Sequence, residues 1–192
     1  LSTMWLKDNF PTLTDFFEFA RRSGFSHVEL NHRINSEMLS GIEMKGYSFS
    51  SIHEPCPADI AMPTLVKNDW LISSLDEENR KKGVEAVTRS IDFANRHGIP
   101  SIVIHPGQIN MDVNLEKQLR VFIQSGKNGT DEFKALKDQM MQLRSSLAPA
   151  VFAATCNSIS ELAEKAKIAK VRLALENRNH YREIPSPDEM EI

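Results

Sequence analysis

The sequence contains only two cysteines, Cys56 and Cys156, among its 192 residues. Two cysteines are too few for the disulfide framework of a small secreted domain, and these two lack the CxxC spacing of a zinc or redox motif. A cytoplasmic location is therefore expected, because thiols stay reduced in that compartment.

An excess of charge of one sign and a long apolar segment are also missing. The formal net charge is -3 and the isoelectric point is about 6.1, so the chain lacks the basic footprint of a nucleic-acid-binding protein and no nucleic acid partner is expected. The longest nearly unbroken apolar run, 147–156, contains a proline and is too short to span a bilayer. No charged-then-apolar leader opens the sequence, so no membrane association is expected either.

Several motifs of common α/β enzymes do not occur. There is no GxGxxG fingerprint and no Walker motif, so the dinucleotide-binding and P-loop branches of α/β architecture lose support. The Gly-x-Ser-x-Gly elbow of the serine hydrolases is missing as well. The hydrophobic fraction of 41% is nevertheless sufficient to bury the core of one large domain.

What the sequence does contain is a regular alternation of extended and helical patterns. Extended segments are predicted at residues 1–6, 26–30, 47–53, 101–105 and 171–176. Helices are predicted at 12–24, 36–45, 76–97, 113–124, 130–146 and 158–169. Strands separated by such helices predict right-handed crossovers and a parallel sheet. The sheet belongs either to a flavodoxin-like fold or to part of a barrel.

Capping signals and a proline suggest where the longer helices begin and end. Ser74 and Glu77 have capping-box spacing before the most strongly patterned helix. Pro149 predicts an interruption after the helix at 130–146. The capping-box spacing of Ser158 and Glu161 predicts that a new helix starts at residue 158. The chain between residues 130 and 169 is therefore expected to form two separate helices.

Two of the predicted strands have an apolar centre. The segments 102–104 (Ile-Val-Ile) and 173–175 (Leu-Ala-Leu) contain no polar residue. Continuous apolar runs of this kind are typical of parallel strands that are buried on both faces. We therefore expect neither strand to turn a polar face towards water.

Ligand-type side chains follow four of the predicted strands at the point where each strand ends. These residues are Glu29, His53, His105 and Glu176. The carboxyl ends of parallel strands form the functional face of α/β sheets. Imidazole nitrogens and carboxylate oxygens are ligands of Zn²⁺, Mn²⁺ and related divalent ions. Four such ends in succession predict a metal or catalytic site, although each residue alone is more often an ordinary loop residue.

The motifs at these ends also carry a resemblance to a known superfamily. In order along the chain they are Ser51-Ile52-His53-Glu54-Pro55, the segment 73–80, Ile104-His105-Pro106-Gly107 and Ala174-Leu175-Glu176-Asn177. This series is similar to that of the xylose-isomerase-like barrels, which include AP endonuclease family 2. The resemblance covers residues 26–177 and implies a parallel (β/α)8 TIM barrel, of which residues 1–192 would form strands one to five.

The resemblance implies a role for several residues of this chain. His53 and His105 match histidines that bind metal in the endonuclease branch, and Glu176 matches a glutamate that binds metal in both the endonuclease and sugar-isomerase branches. Glu29 matches an acidic position that lines the pocket. From their chemistry, Asn177, Arg178 and His180 are expected to hydrogen-bond a polyol or a phosphate, with an ordinary polar loop as the open alternative.

The remaining ligands of the superfamily come from strands six to eight, and this sequence ends at Ile192. At roughly 30 residues per βα unit, about 90 residues of a complete barrel are expected to be absent. The chain alone is therefore expected to be inactive. It should also aggregate or pair with a second copy, because a partial barrel leaves open sheet edges and exposed apolar surface.

The function expected from the resemblance is that of a metal-dependent sugar or sugar-phosphate isomerase or epimerase. The cofactor would be Zn²⁺ or Mn²⁺, with Mg²⁺ or Co²⁺ as alternatives, and Glu176 would act as a metal ligand or as the base. One alternative is an endonuclease IV-like phosphodiesterase that activates water against a phosphate. The other is a non-catalytic barrel fragment or subunit.

Overall fold

A computed structural model describes residues 1–6 and 9–191 of the chain. Its helices are α1 (Leu13–Arg22), α2 (Ser36–Leu39), α3 (Met62–Lys67), α4 (Glu77–His97), α5 (Val113–Gln124) and α6 (Asp131–Ala169). Its strands are β1 (Val28–Leu30), β2 (Phe49–His53), β3 (Ser101–Ile104), β4 (Gly107–Gln108), β5 (Arg172–Leu175) and β6 (Glu183–Ile184). Short 3-10 turns lie at Thr3–Trp5, Met44–Gly46 and Asp188–Glu191.

The four longer strands form one parallel sheet in the order β1-β2-β3-β5, as the alternation of strands and helices predicts. The first predicted strand is wrong in extent. Ser2 alone forms a parallel bridge with Glu29, and the chain then turns into the 3-10 helix at Thr3–Trp5. The side chain of Ser2 accepts a hydrogen bond from the Met4 amide, and this cap favours the turn over a continued strand.

One face of the sheet is covered by helices and contains the main core. Strand residues Leu30, Ile52, Ile102 and Ile104 are completely buried there, together with Phe16 of α1 and residues of α4 and α6. Apolar side chains recur along those helices at the spacing of one helical face, which is why the helices dock on the sheet. This layer over the sheet is the arrangement expected of βα units.

The other face of the sheet, which we call the open face, is not covered by helices within residues 1–6 and 9–191. It carries Glu29, Ser51, Ser101, Val103, Arg172 and Ala174, all of which are partly or fully exposed. Within residues 1–6 and 9–191, β3 and β5 are therefore covered on one face only. Side chains alternate across a strand, so Ile102 and Ile104 point to the helices while Ser101 and Val103 point away.

Two helix boundaries differ from the capping signals. The N-cap of α4 is Asp76, whose carboxylate accepts a hydrogen bond from the Asn79 amide, whereas Ser74 bonds to Asp69 and to the Asp76 amide. The predicted helix at 36–45 is also interrupted. It ends at Leu39, because Ser40 is extended and Gly41 adopts a positive φ of 83°.

The predicted break at Pro149 does not occur, and α6 is one helix of 39 residues. Proline within a helix costs about 3 kcal/mol. Burial on both sides of the proline offsets this cost, since Ala148 and Val151 pack in one apolar cluster and Leu162 packs in the main core. Ser158 lies inside α6 rather than at a helix start, and it is completely buried.

A second, smaller cluster lies outside the sheet, in what we call the C-terminal layer. This layer comprises α5, residues 131–152 of α6 and the segment 177–191, and its cluster includes Leu119, Met140 and Ile184. The antiparallel pair β4 and β6 ties the segment to the turn after β3. Over the described residues, no helix combines the length and the apolar character needed to cross a membrane.

Candidate metal centre

Two imidazole rings meet where β2 and β3 end. His53 is the last residue of β2, and His105 follows β3 directly. His53 is aligned with Val103 in the sheet register, so His105 lies two residues further along the neighbouring strand on the same face. Their Nε2 atoms are 2.7 Å apart. The sheet register itself thus brings the two rings together from positions 52 residues apart in the sequence.

The carboxylate of Glu176 completes the group. Its Oε2 lies 3.5 Å from Nε2 of His53 and 3.7 Å from Nε2 of His105. In a tetrahedral site, two ligand atoms that each lie about 2.05 Å from the ion are about 3.3 Å from each other. The separation between the two Nε2 atoms is shorter than that value, and the two separations from Oε2 of Glu176 are longer. The donor set of two imidazoles and one carboxylate therefore fits a divalent ion such as Zn²⁺.

A hydrogen bond fixes which nitrogen of His105 is free. Its Nδ1 lies 3.0 Å from the backbone carbonyl oxygen of Glu176, which can only accept. Nδ1 must therefore carry the proton, and in the neutral ring Nε2 keeps a lone pair directed at the candidate site. Such a second contact is the usual way in which a metal-binding histidine is oriented.

Glu29 lies on the other side of His53. Its Oε1 is 4.0 Å from Nδ1 of His53, and its Oε2 accepts a hydrogen bond of 3.0 Å from the hydroxyl of Ser51. Burial lowers the pKa of His53, and the neighbouring His105 lowers it further. The carboxylates of Glu29 and Glu176 oppose these effects without reversing them. His53 is thus held towards the neutral form that binds metal.

The three other predicted residues, in the loop after β5, lie in different surroundings. Arg178 is 3.5 Å from the carboxylate of Glu183 but still close enough to His53 to affect its pKa. His180 contacts Glu116 of α5 at 3.3 Å, so its ring belongs to a neighbouring cavity rather than to the histidine pair. Asn177 lines that same neighbouring cavity.

Of the comparisons with known proteins, only the one with solved structures finds a similar protein. No family model matches the chain, and no curated protein matches its sequence. Among solved structures, it is similar to the crystal structure of a D-tagatose 3-epimerase-like protein, with a TM-score of 0.59 and 19% identity. At this identity the likeness concerns the fold alone, an α/β fold whose parallel sheet is consistent with part of a (β/α)8 barrel.

The similarity covers 94% of this chain and 55% of that protein, so the chain spans about half the length of the protein that it matches. In a barrel of this kind the open face of the sheet corresponds to the interior, and the strand carboxyl ends form the functional face. His53, His105 and Glu176 lie at those ends, and Glu29 lies one strand away.

Three residues near the centre were not predicted from the sequence. Ser51 bonds to Glu29 and lies two residues before His53, so the strand alternation could have indicated it. Burial raises the pKa of Glu54 to about 7, and its position directly after His53 was the available signal. His32 lies near His53, and burial lowers its pKa. Its position just after β1 indicates that it could reach this edge, although a solvated loop is the more common outcome for such a residue.

Proposed function

We propose that the protein to which this chain belongs is a metal-dependent sugar or sugar-phosphate isomerase or epimerase of the cytoplasm. The observation that supports the proposal is the convergence of two imidazole nitrogens and one carboxylate oxygen at the ends of three parallel strands. His53, His105 and Glu176 would hold the ion, with further ligands from strands six to eight of a complete barrel. Zn²⁺ and Mn²⁺ suit this donor set, and Mg²⁺ or Co²⁺ are alternatives.

The residues of this chain would divide the chemistry between them. A bound divalent ion would supply Lewis-acid polarisation of the substrate oxygens. Glu176 would serve as a ligand through Oε2 or take a proton from the carbon beside the carbonyl group. Glu29, already held by Ser51, would accept a hydrogen bond from a substrate hydroxyl. Asn177, Arg178 and His180 are proposed to bind the distal end of the sugar.

A phosphodiesterase is the second candidate. It is favoured by the paired imidazoles, because two histidines and a carboxylate are a common zinc set for activating water. The guanidinium of Arg178 near His53 could stabilise the charge of a phosphate. The two candidates differ in substrate, so the same purified protein can be assayed with ketohexoses and with an abasic-site duplex.

The first experiment measures metal directly. Full-length protein purified after growth with added metal should contain Zn²⁺ or Mn²⁺ by elemental analysis. The variants Glu176→Gln and His105→Ala should each lower the affinity for the metal by about tenfold or more, measured by chelator competition, since each removes one of the three candidate ligands. The matched controls are His27→Ala and His97→Ala, two exposed histidines outside the cluster.

The second experiment measures turnover. Epimerisation by proton transfer in D2O should place deuterium at the reacting carbon, whereas a hydride shift should not. Glu176→Gln should abolish either reaction, and His97→Ala should not. A full-length protein that contains no stoichiometric metal, with equal activity in all variants, would contradict the proposal and leave the non-catalytic barrel subunit as the better description.

A further inference from the structure

A cavity of about 440 Å³ lies beside the candidate metal centre and shares none of its residues. Its polar lining consists of Asp69, Ser73, Ser74, Gln108, Asn110 and Arg182. Gln108 follows His105 by three residues, so their Cα atoms are at most about 11 Å apart. The cavity is thus adjacent to the centre. The turn at Gly107 lies between them, and it packs so closely on Ser73 that an added Cβ would meet the hydroxyl at 2.1 Å.

Several polar groups of this cavity lack a partner within the protein. Over residues 1–6 and 9–191, the side-chain amides of Gln108 and Asn110 make no hydrogen bond, and the guanidinium of Arg182 makes neither a hydrogen bond nor an ion pair. All three side chains line the cavity, and the backbone that carries them is tied by the hydrogen bond from the Ile109 amide to the carbonyl oxygen of Arg182. They offer both donors and acceptors to a ligand.

The opposite wall is fixed by a short network. Ser74 is buried, donates a hydrogen bond to Asp69 and accepts one from the Asp76 amide. Asp69 has a positive φ of 54° where the chain leaves the C-terminus of α3, and its amide donates to the carbonyl oxygen of Val66. The network holds one carboxylate in the lining of the cavity, which also contains one guanidinium, that of Arg182.

Charge and shape together indicate the class of ligand. A phosphate would be repelled by Asp69, while a cation would be repelled by Arg182. Neutral hydroxyl groups both donate and accept, so they suit amides, hydroxyls and an opposed charge pair equally well. The apolar part of the wall, which includes Leu71, Ile109 and Val151, offers surface for the C–H groups of a sugar ring.

We propose that this cavity is a binding site for a neutral sugar, separate from the metal centre. Binding depends on Gln108, Asn110 and Arg182 and requires no metal. Any part that the cavity plays in turnover rests on the function proposed above, but the binding itself does not. The site favours free sugars over phosphorylated ones.

The test is ligand binding in excess EDTA, which removes any contribution from a metal centre. D-tagatose and D-fructose are the probes, with fructose 6-phosphate as the charged comparison, and binding is followed by saturation-transfer NMR and by titration. Gln108→Leu and Arg182→Gln should each weaken binding of the neutral sugar about fivefold, the effect of one lost hydrogen bond. Gln124→Leu and Arg96→Gln, exposed residues outside the cavity, are the matched controls and should bind as the parent does.

His53→Ala should also bind the sugar normally in EDTA, because His53 does not line the cavity. The inference is overturned if no sugar binds in EDTA, if both cavity variants bind as the parent does, or if the phosphate ester binds more tightly than the free sugar. Circular dichroism is used to check that each variant is folded. If Gln108→Leu or Arg182→Gln does not fold, Asn110→Leu is tested in its place. Sugar binding in EDTA without any turnover would contradict the proposed enzyme activity and leave this binding site supported. Turnover without sugar binding in EDTA would contradict this binding site and leave the proposed activity supported.

Discussion

The sheet and the C-terminal layer are held together in different ways. The sheet is stabilised by a large apolar core in which residues such as Phe16 and Ile52 are completely buried. The C-terminal layer has a smaller cluster and depends on Arg144, which bonds to Glu189 and to the carbonyl oxygens of Tyr181 and Glu183. Apolar burial has no directional requirement, whereas these polar contacts each need one partner in one place.

The difference bears on function, because the two regions meet at the candidate centre. Glu176 ends a strand of the sheet, and the next residues, from 177 onwards, belong to the C-terminal layer. The positions of the histidines therefore depend on the sheet register. The positions of Arg178 and His180 depend on how the layer is held. A change in the layer should move Arg178 and His180 while leaving the histidine pair in place.

The largest expected effect comes from the covered face of the sheet. Ile102 is completely buried, so Ile102→Ala should lower the free energy of unfolding by about 3 kcal/mol. Val103 lies on the open face, and Val103→Ala should lower it by less than about 1 kcal/mol. Urea denaturation of both variants measures the difference. Equal losses would mean that Val103 is covered as fully as Ile102, as expected if the open face forms the interior of a complete barrel.

Removing the arginine that holds the C-terminal layer should have the next largest effect. Arg144→Met leaves the carboxylate of Glu189 half-buried without its partner and should cost about 2 kcal/mol. The loss should be local, so amide hydrogen exchange should rise over residues 177–191 and not in β3. Lys134→Met, which removes an exposed pair with Asp131, should cost less than about 0.5 kcal/mol and is the control.

The contact that links α6 to the loop before α4 gives an intermediate effect. The hydroxyl of Ser158 donates to the carbonyl oxygen of Ile72 at 2.7 Å and accepts from Arg80 at 2.8 Å, all within the protein interior. Ser158→Ala should therefore cost about 1.5 kcal/mol. Ser160 is exposed and bonds only within its own helix, so thermal unfolding of Ser160→Ala should be almost unchanged. Equal melting temperatures for the two variants would show that the link is unimportant.

The smallest effect concerns thiol reactivity rather than stability. Burial raises the pKa of Cys56 to about 12, whereas Cys156 is exposed on α6. Only the thiolate reacts, so at pH 8 the native protein should be alkylated at Cys156 and not at Cys56. In urea both should react. Mass spectrometry of the labelled peptides is the measurement, and rapid labelling of Cys56 in the native state would indicate that the main core opens readily.

Much of the sheet and of its rim could be predicted from the sequence. Each of Glu29, His53, His105 and Glu176 ends a short extended pattern, and parallel pairing places such ends at one edge. The sequence could not indicate that His180 bonds to Glu116, because those residues are 64 positions apart and neither lies in a repeating pattern. Chemistry at strand ends was therefore predictable, while the contacts of the following loop were not.

The sequence by itself determined the order of the four parallel strands and of α1, α4 and α5, because side-chain periodicity and capping residues act over a few neighbouring positions. Only the tertiary structure decided that α6 continues through Pro149 and that Ser158 lies inside it rather than at the start of a new helix. These outcomes depend on contacts between distant residues, such as the bond from Ser158 to Ile72 across 86 positions. Local preferences of about 1 kcal/mol per residue are overridden when the burial of whole helix faces favours another arrangement.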